Sequence, residues 1–168
     1  MTARLMVLNG PNLNLLGVRE PHIYGTTTLA EIETSCRAAA DARGGTVAFH
    51  QSNHEGALID LVQQARETAD AIVINPAGLS FTSVALLDAL KAFDGPVIEV
   101  HISNIHARDA LHRHSIVSSV ARCVICGAGP YGYVLGIEAA AHLLSAQKGE
   151  PGGSEGTQRG GPRRAAAP

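Results

Sequence analysis

Five short apolar runs, separated by stretches with helical periodicity, constrain this chain more than any other feature. They are RLMVLN (Arg4–Asn9, β1), TVAFHQ (Thr46–Gln51, β2), AIVIN (Ala71–Asn75, β3), VIEVH (Val97–His101, β4) and CVIC (Cys123–Cys126, β5). Runs this short and this continuously apolar suit strands covered on both faces, and strand–helix alternation makes a parallel sheet. Thr28-Leu29-Ala30-Glu31 is a capping-box pattern, opening a helix expected to reach about Arg43 before Gly44-Gly45 stops it. Asn53 is expected to cap a second helix with Leu58, Ile59, Val62 and Ala65 on one face. A third carries Val84, Leu87, Ala89 and Leu90 and ends near Asp94-Gly95, and Pro96 enters β4 where its missing N–H costs little. A short helical turn is expected at Ala107–Leu111, and a last apolar helix from about Gly132 to Ala146. The pattern fits an α/β fold: a flavodoxin-like, doubly wound, five-stranded parallel sheet in the order 2-1-3-4-5.

In such a sheet ligands bind beyond the carboxyl ends of the strands at the switch point. In the order 2-1-3-4-5 those ends carry Asn9–Tyr24, Asn75–Phe81 and His101–Arg113, the stretches densest in Asn, Ser, His and Arg. The first belongs to LNGPNLNLLGVREPHIYG, Leu8–Gly25, far longer than the roughly 2–6 residues usual between strand and helix. It contains Arg19 and Tyr24. A phenol ionises near pH 10, and a guanidinium beside it favours phenolate, a usable base. His101 stands two residues after Glu99 on one strand face, so a hydrogen bond fixing its tautomer is allowed. Spacing alone leaves open that Tyr24 is an ordinary loop tyrosine and His101 a polar strand terminus.

Other classes fit poorly. The chain has 168 residues, 45% hydrophobic and 17% charged, enough for one globular domain. It holds no apolar run of membrane-spanning length, and its start goes straight into a strand pattern, unlike a signal peptide. The net charge is -2, and a basic surface for nucleic acid is not expected. Neither a GxGxxG nor a P-loop pattern follows β1, so FMN and dinucleotides are unsupported, and no GxSxG motif occurs. The pairs His50/His54, His101/His106 and His112/His114 match no metal-ligand spacing, so no metal is expected. Cys123 and Cys126 have CxxC spacing, but residues three apart on a strand point to opposite faces. With Cys36 they read as buried apolar cysteines of a cytoplasmic protein. The catalytic unit is expected to span residues 1–147. The last stretch, 148–168, has six Gly and three Pro and is expected to be disordered.

The segments LNGPNLNLLGVREPHIYG, FHQSNHEGALID and VIEVHISNIHAR, with the later HS, closely resemble type II 3-dehydroquinate dehydratase over about residues 5–145. The resemblance implies a flavodoxin-like homo-oligomer, usually a dodecamer of four trimers, without metal or cofactor. It implies loss of water from 3-dehydroquinate to give 3-dehydroshikimate, in the shikimate or the quinate route. Tyr24 matches the base that takes a proton beside the ketone, and Arg19 the residue that lowers its pKa. His101 matches the acid that protonates the leaving hydroxyl, oriented by Glu99, and Asn12 positions a water near the enolate oxygen. Asn75 with the backbone of Ile102 and Ser103 matches the carboxylate grip. Asp88 matches an acidic residue reaching a neighbouring subunit's substrate, and Arg108 another loop arginine. Departures cluster in NPAGLSFTSVALLDAL, Asn75–Leu90. There Phe81 replaces a substrate-binding histidine, Leu79 an aromatic residue and Leu87 a basic one, and Gly and Ala are exchanged at Ala77-Gly78. His112 stands where an arginine usually contacts substrate hydroxyls, with Arg113 one place off. The alternative is a paralogue with altered substrate or reduced activity, acting as a binding or regulatory oligomer.

Overall fold

The computed structural model describes residues 2–18 and 25–149. Its sheet is parallel throughout, in the order β2-β1-β3-β4-β5. Every residue of β3 and β4 is buried, which is why those runs carry no alternation. The period of two sorts their side chains between two cores. Leu5, Val7, Val73, Ile98 and Val100 pack with Ile32, Cys36 and Ala40 of α1 (Leu29–Asp41). On the same face lie Tyr133, Ile137 and Ala140 of α4 (Tyr131–Gly149). Met6, Leu8, Ile72, Ile74 and Val97 face α2 (Glu55–Thr68) and α3 (Val84–Lys91).

The capping box at Thr28 forms as expected: its hydroxyl accepts from Glu31 N while Glu31 Oε2 accepts from Thr28 N at 2.7 Å. Helix α1 ends two residues before the expected Arg43, and Gly45 N turns back to the carbonyl of Ala40 at 2.9 Å.

Three expectations change, and the inward face of α3 is settled. Asn53 does not cap α2. The cap is His54 without a side-chain bond, because Asn53 Oδ1 accepts instead from Asn12 N (2.9 Å) and Gln51 Nε2 (3.0 Å). In α3 the inward stripe is Leu86 and Leu90, whereas Val84 is 60% exposed and Leu87 half-buried. The phase is set by Ser83, whose Oγ accepts from Leu86 N at 2.9 Å and donates to Glu55, locking the start of α3 onto α2. The loop after β4 makes two 3-10 turns, Ile105–Ala107 and Ala110–His112, rather than one. Finally, Cys123 and Cys126 are half-buried, because β5 is a sheet edge, while Cys36 is fully buried. Burial pushes the Cys36 thiol up to about 12, and burial and then the charge of Glu99 push Cys126 up. Neither thiol is a ready nucleophile at neutral pH. The described part of α4 runs to Gly149, and the stretch expected to be disordered lies, beyond that residue, outside the described residues.

The sheet centre admits only small residues at two places. A Cβ at Gly136 of α4 lies 2.9 Å from Val73 Cγ1. A Cβ at Gly10 lies 2.2 Å from the carbonyl oxygen of Pro76, while Gly10 N donates to Asn75 O at 2.8 Å. The obstacle at Gly10 is backbone and cannot rotate away. Gly10→Ala is therefore expected to destabilise the fold by about 1–3 kcal/mol. This appears as a lower urea midpoint at unchanged slope; an unchanged midpoint contradicts the close approach.

Candidate active site

The site begins with buried polar groups at the ends of β1 and β3. Asn9 and Asn75 are 0% and 3% exposed, on neighbouring strands in register. Polar groups this deep must be paired. Tyr133, also fully buried, donates its hydroxyl to Asn9 Oδ1 at 2.7 Å and accepts from Asn75 Nδ2 at 3.0 Å. Asn9 Nδ2 donates to the carbonyl of His50 at 2.9 Å, and Asn75 Oδ1 accepts from Ala77 N at 3.2 Å. The network ties β1, β2, β3 and α4 together where the chain turns into the site loops. Burial raises the Tyr133 phenol well above its ordinary range, so it stays a neutral donor. Sequence reasoning missed this residue. Its signal was a hydroxyl inside an otherwise apolar helix, which needs a partner when buried.

Beyond this floor opens a cleft of about 210 Å³. The loop after β1 contributes Asn12, Leu13 and Leu16, and the turn after β3 contributes Asn75, Ala77 and Phe81. The end of β4 and its loop contribute His101, Ile102, Ser103, Arg108 and His112. Asn12 and Ala77 both have positive φ, at 68° and 52°. Such conformations are costly for non-glycine residues; here the side-chain oxygen Oδ1 of Asn53 accepts from Asn12 N and Oδ1 of Asn75 accepts from Ala77 N.

His101 and Glu99 are 4% and 0% exposed, with His101 Nε2 2.6 Å from Glu99 Oε1. An ionised carboxylate only accepts, so Nε2–H donates and Nδ1 is the nitrogen left for a ligand. Ser118 Oγ donates to the other carboxylate oxygen. Ser115 Oγ, buried without a hydrogen-bond partner of its own, faces the same group. Burial alone drives Glu99 upward, but the hydrogen bonds of His101 and Ser118, the nearby Ser115 hydroxyl and the charge of His101 outweigh it, so its carboxyl lies below the ordinary value. The arrangement is a buried carboxylate–imidazole pair with one imidazole nitrogen turned to a polar cleft, suited to donating a proton to a leaving group.

The structure brings Asn12, Asn75, His101, Ile102, Ser103, Arg108, Phe81 and His112 to one cleft, with Glu99 behind His101. It does not bring in Arg113, whose Nε and Nη2 donate to the carbonyl of Arg108 at 3.3 and 3.1 Å. Asp88 lies exposed on α3, paired with Lys91 at 3.0 Å, away from the cleft of its own chain. Arg19 and Tyr24 lie outside the described residues. No group of three or more metal-ligating side chains occurs among the described residues, and none of their helices is long and apolar enough to cross a membrane.

Tyr133→Phe leaves Asn9 Oδ1 and Asn75 Nδ2 without a buried partner and is expected to cost about 1–3 kcal/mol, read from the urea midpoint; no change contradicts the network. For Glu99 the folded carboxyl is more acidic than the unfolded one. Its stabilisation is therefore complete above the unfolded value near 4.5 and is lost as pH falls through the folded value. Ser118→Ala removes one donor and is expected to move acid unfolding to higher pH; an unshifted acid transition contradicts the role of Ser118.

Comparison with known proteins shows the family. The family model "Dehydroquinase class II" matches residues 3–141. The chain is 58% identical to a 3-dehydroquinate dehydratase of Streptomyces coelicolor, over 86% of this chain and 92% of that one. It is 53% identical to catabolic 3-dehydroquinase 1 of Aspergillus fumigatus, over 82% and 92%. The solved type II dehydroquinase of Propionibacterium acnes superposes with a TM-score of 0.80 at 40% identity, covering 84% of this chain and 98% of that one. With a carboxylate–imidazole pair at the carboxyl ends of a 2-1-3-4-5 parallel sheet and a family match over most of its length, the chain belongs to the class II dehydroquinases.

Proposed function

We propose that this chain dehydrates 3-dehydroquinate to 3-dehydroshikimate by anti elimination through an enolate, with a tyrosine base and a histidine acid. The observation that carries the reading is the buried Glu99–His101 pair opening onto the cleft of a class II dehydroquinase. A proton beside a ketone is weakly acidic, so the base and a preorganised enolate site must lower the barrier together. Of the three tyrosines, Tyr133 is sealed in the core as a neutral donor, and Tyr24 is the one assigned as base with Arg19 lowering its pKa. The electron pair of the broken C–H bond forms the enolate, near which Asn12 places a water. Collapse of the enolate expels the hydroxyl, which takes the proton of His101 Nδ1 and leaves as water. Glu99, 2.6 Å from Nε2, is the counter-charge of the ring in its proton-carrying form. Asn75 with the backbone of Ile102 and Ser103 grips the substrate carboxylate, and Arg108 adds a charged contact.

In this reading the working form is a trimer-based dodecamer in the cytoplasm, and Asp88 reaches a neighbouring subunit's cleft. A second reading, a paralogue with altered substrate or reduced activity, draws on one observation: Phe81 and His112 are in ring contact on the cleft wall.

Purified protein mixed with 3-dehydroquinate is expected to produce conjugated-enone absorbance, undiminished by a chelator. Tyr24→Phe and His101→Ala are each expected to lower kcat by about 10²-fold or more. Full activity of Tyr24→Phe contradicts the assigned base. If neither the parent nor the Phe81→His/His112→Arg double variant turns over, the dehydratase reading fails and the second stands.

A further inference from the structure

The cleft wall after β4 ends in an imidazole that the surrounding chain holds from two sides. His112 closes the turn Ala110–His112, and its Nδ1 lies 2.8 Å from Asp109 Oδ2 and 3.0 Å from Oδ1. Asp109 is itself fixed, because its Oδ1 accepts from Leu111 N at 2.9 Å as the cap of that same turn. The carboxylate therefore has a set position before it meets the ring. On the other side stands Phe81, at the end of the turn Ala77–Phe81, with ring centroids 5.4 Å apart and planes at 83°. Edge-on contacts of this kind are favourable and orientation-dependent. Phe81 and His112 both line the cleft, whereas Asp109 does not.

Two consequences follow from the chemistry of imidazole. An ionised carboxylate only accepts, so Nδ1–H is the donor to Asp109 and Nε2 carries the lone pair of the neutral ring. Among the described residues no protein group is hydrogen-bonded to Nε2. The cleft thus has one preset acceptor on a wall whose other aromatic member, Phe81, has no hydrogen-bonding atom. The hydrogen bond of His112 also holds the Asp109 carboxyl below its ordinary value, which keeps it an acceptor across the neutral range.

We propose that Asp109 is a positioning residue for substrate recognition: with Phe81 it fixes His112 so that Nε2 accepts a hydroxyl of the bound cyclic hydroxyacid. The inference rests on the dehydratase reading and deepens it by naming how this wall recognises substrate. Such a contact is made equally in the bound substrate and the transition state, so its loss appears in KM and not in kcat.

The test is a double-mutant cycle on 3-dehydroquinate turnover, with KM and kcat measured separately for the parent, His112→Ala, Asp109→Ala and the double variant. His112→Ala is expected to raise KM by about 3- to 10-fold, with kcat within about twofold. Asp109→Ala is expected to raise KM, by no more than His112→Ala, and an unchanged KM in Asp109→Ala overturns the inference. The double variant is expected to match His112→Ala alone, because Asp109 acts only through the ring. Asp109→Asn, which keeps an oxygen for Nδ1–H and for Leu111 N, is expected to recover most of what Asp109→Ala loses. Additive losses in KM, an unchanged KM in His112→Ala, or losses carried in kcat overturn the inference while leaving the dehydratase reading intact. A parent that does not turn over 3-dehydroquinate overturns the reading, and the inference with it.

Discussion

The carboxyl ends of β1 and β3 approach so closely that Gly10 is the residue that fits against Pro76, and the site depends on that approach. Two asparagine side chains are buried where these strands end, and Tyr133 satisfies both with a single hydroxyl. Unpaired, such groups would cost more than the hydrogen bonds they make are worth. Paired through α4, they hold the roots of two site loops at a fixed separation. From the Asn75 side the same network reaches Ala77 N, and so supports the positive-φ backbone from which the turn to Phe81 departs.

The second structural commitment is Glu99. A carboxylate without solvent exposure is unfavourable unless its oxygens are occupied. One oxygen takes His101 and the other Ser118, so the charge is retained and tied to the ring that faces the cleft. Burial does two jobs there. It makes the carboxylate's influence on His101 stronger than it would be in water, and it fixes which imidazole nitrogen is presented. The same carboxylate–imidazole pattern recurs at Asp109–His112, but near the surface, where it orients more than it binds.

Much of this was legible in the sequence. Continuous apolar runs such as AIVIN and VIEVH announced strands buried on both faces, and the switch-point rule then placed Asn12, Asn75 and His101 together without any distance being known. Glu99 and His101 were readable as a pair because the strand period puts them on one face. What escaped depended on long-range partners. Tyr133 sits 124 residues from Asn9, and a largely apolar helix that opens with two tyrosines reads as core. Asn53 looked like a helix cap because its alternative partner, Asn12 N, lies 41 residues away in another loop. The phase of α3 was not legible because an eight-residue helix is too short for periodicity to choose a face, and the choice is made by Ser83 and Glu55. The contact between Phe81 and His112 joins two residues that lie 31 positions apart and look independent in the chain.

The central claim is that the buried Glu99 carboxylate makes His101 an effective proton donor in the cleft. Glu99→Gln tests it most directly, since the amide oxygen still accepts from Nε2–H and the NH2 in place of the other oxygen can donate to Ser118 Oγ, so that the charge is the principal loss. Steady-state turnover of 3-dehydroquinate by this variant is predicted to show kcat lowered by about 10²-fold or more, with KM changed little. A variant that keeps the parent kcat contradicts the account.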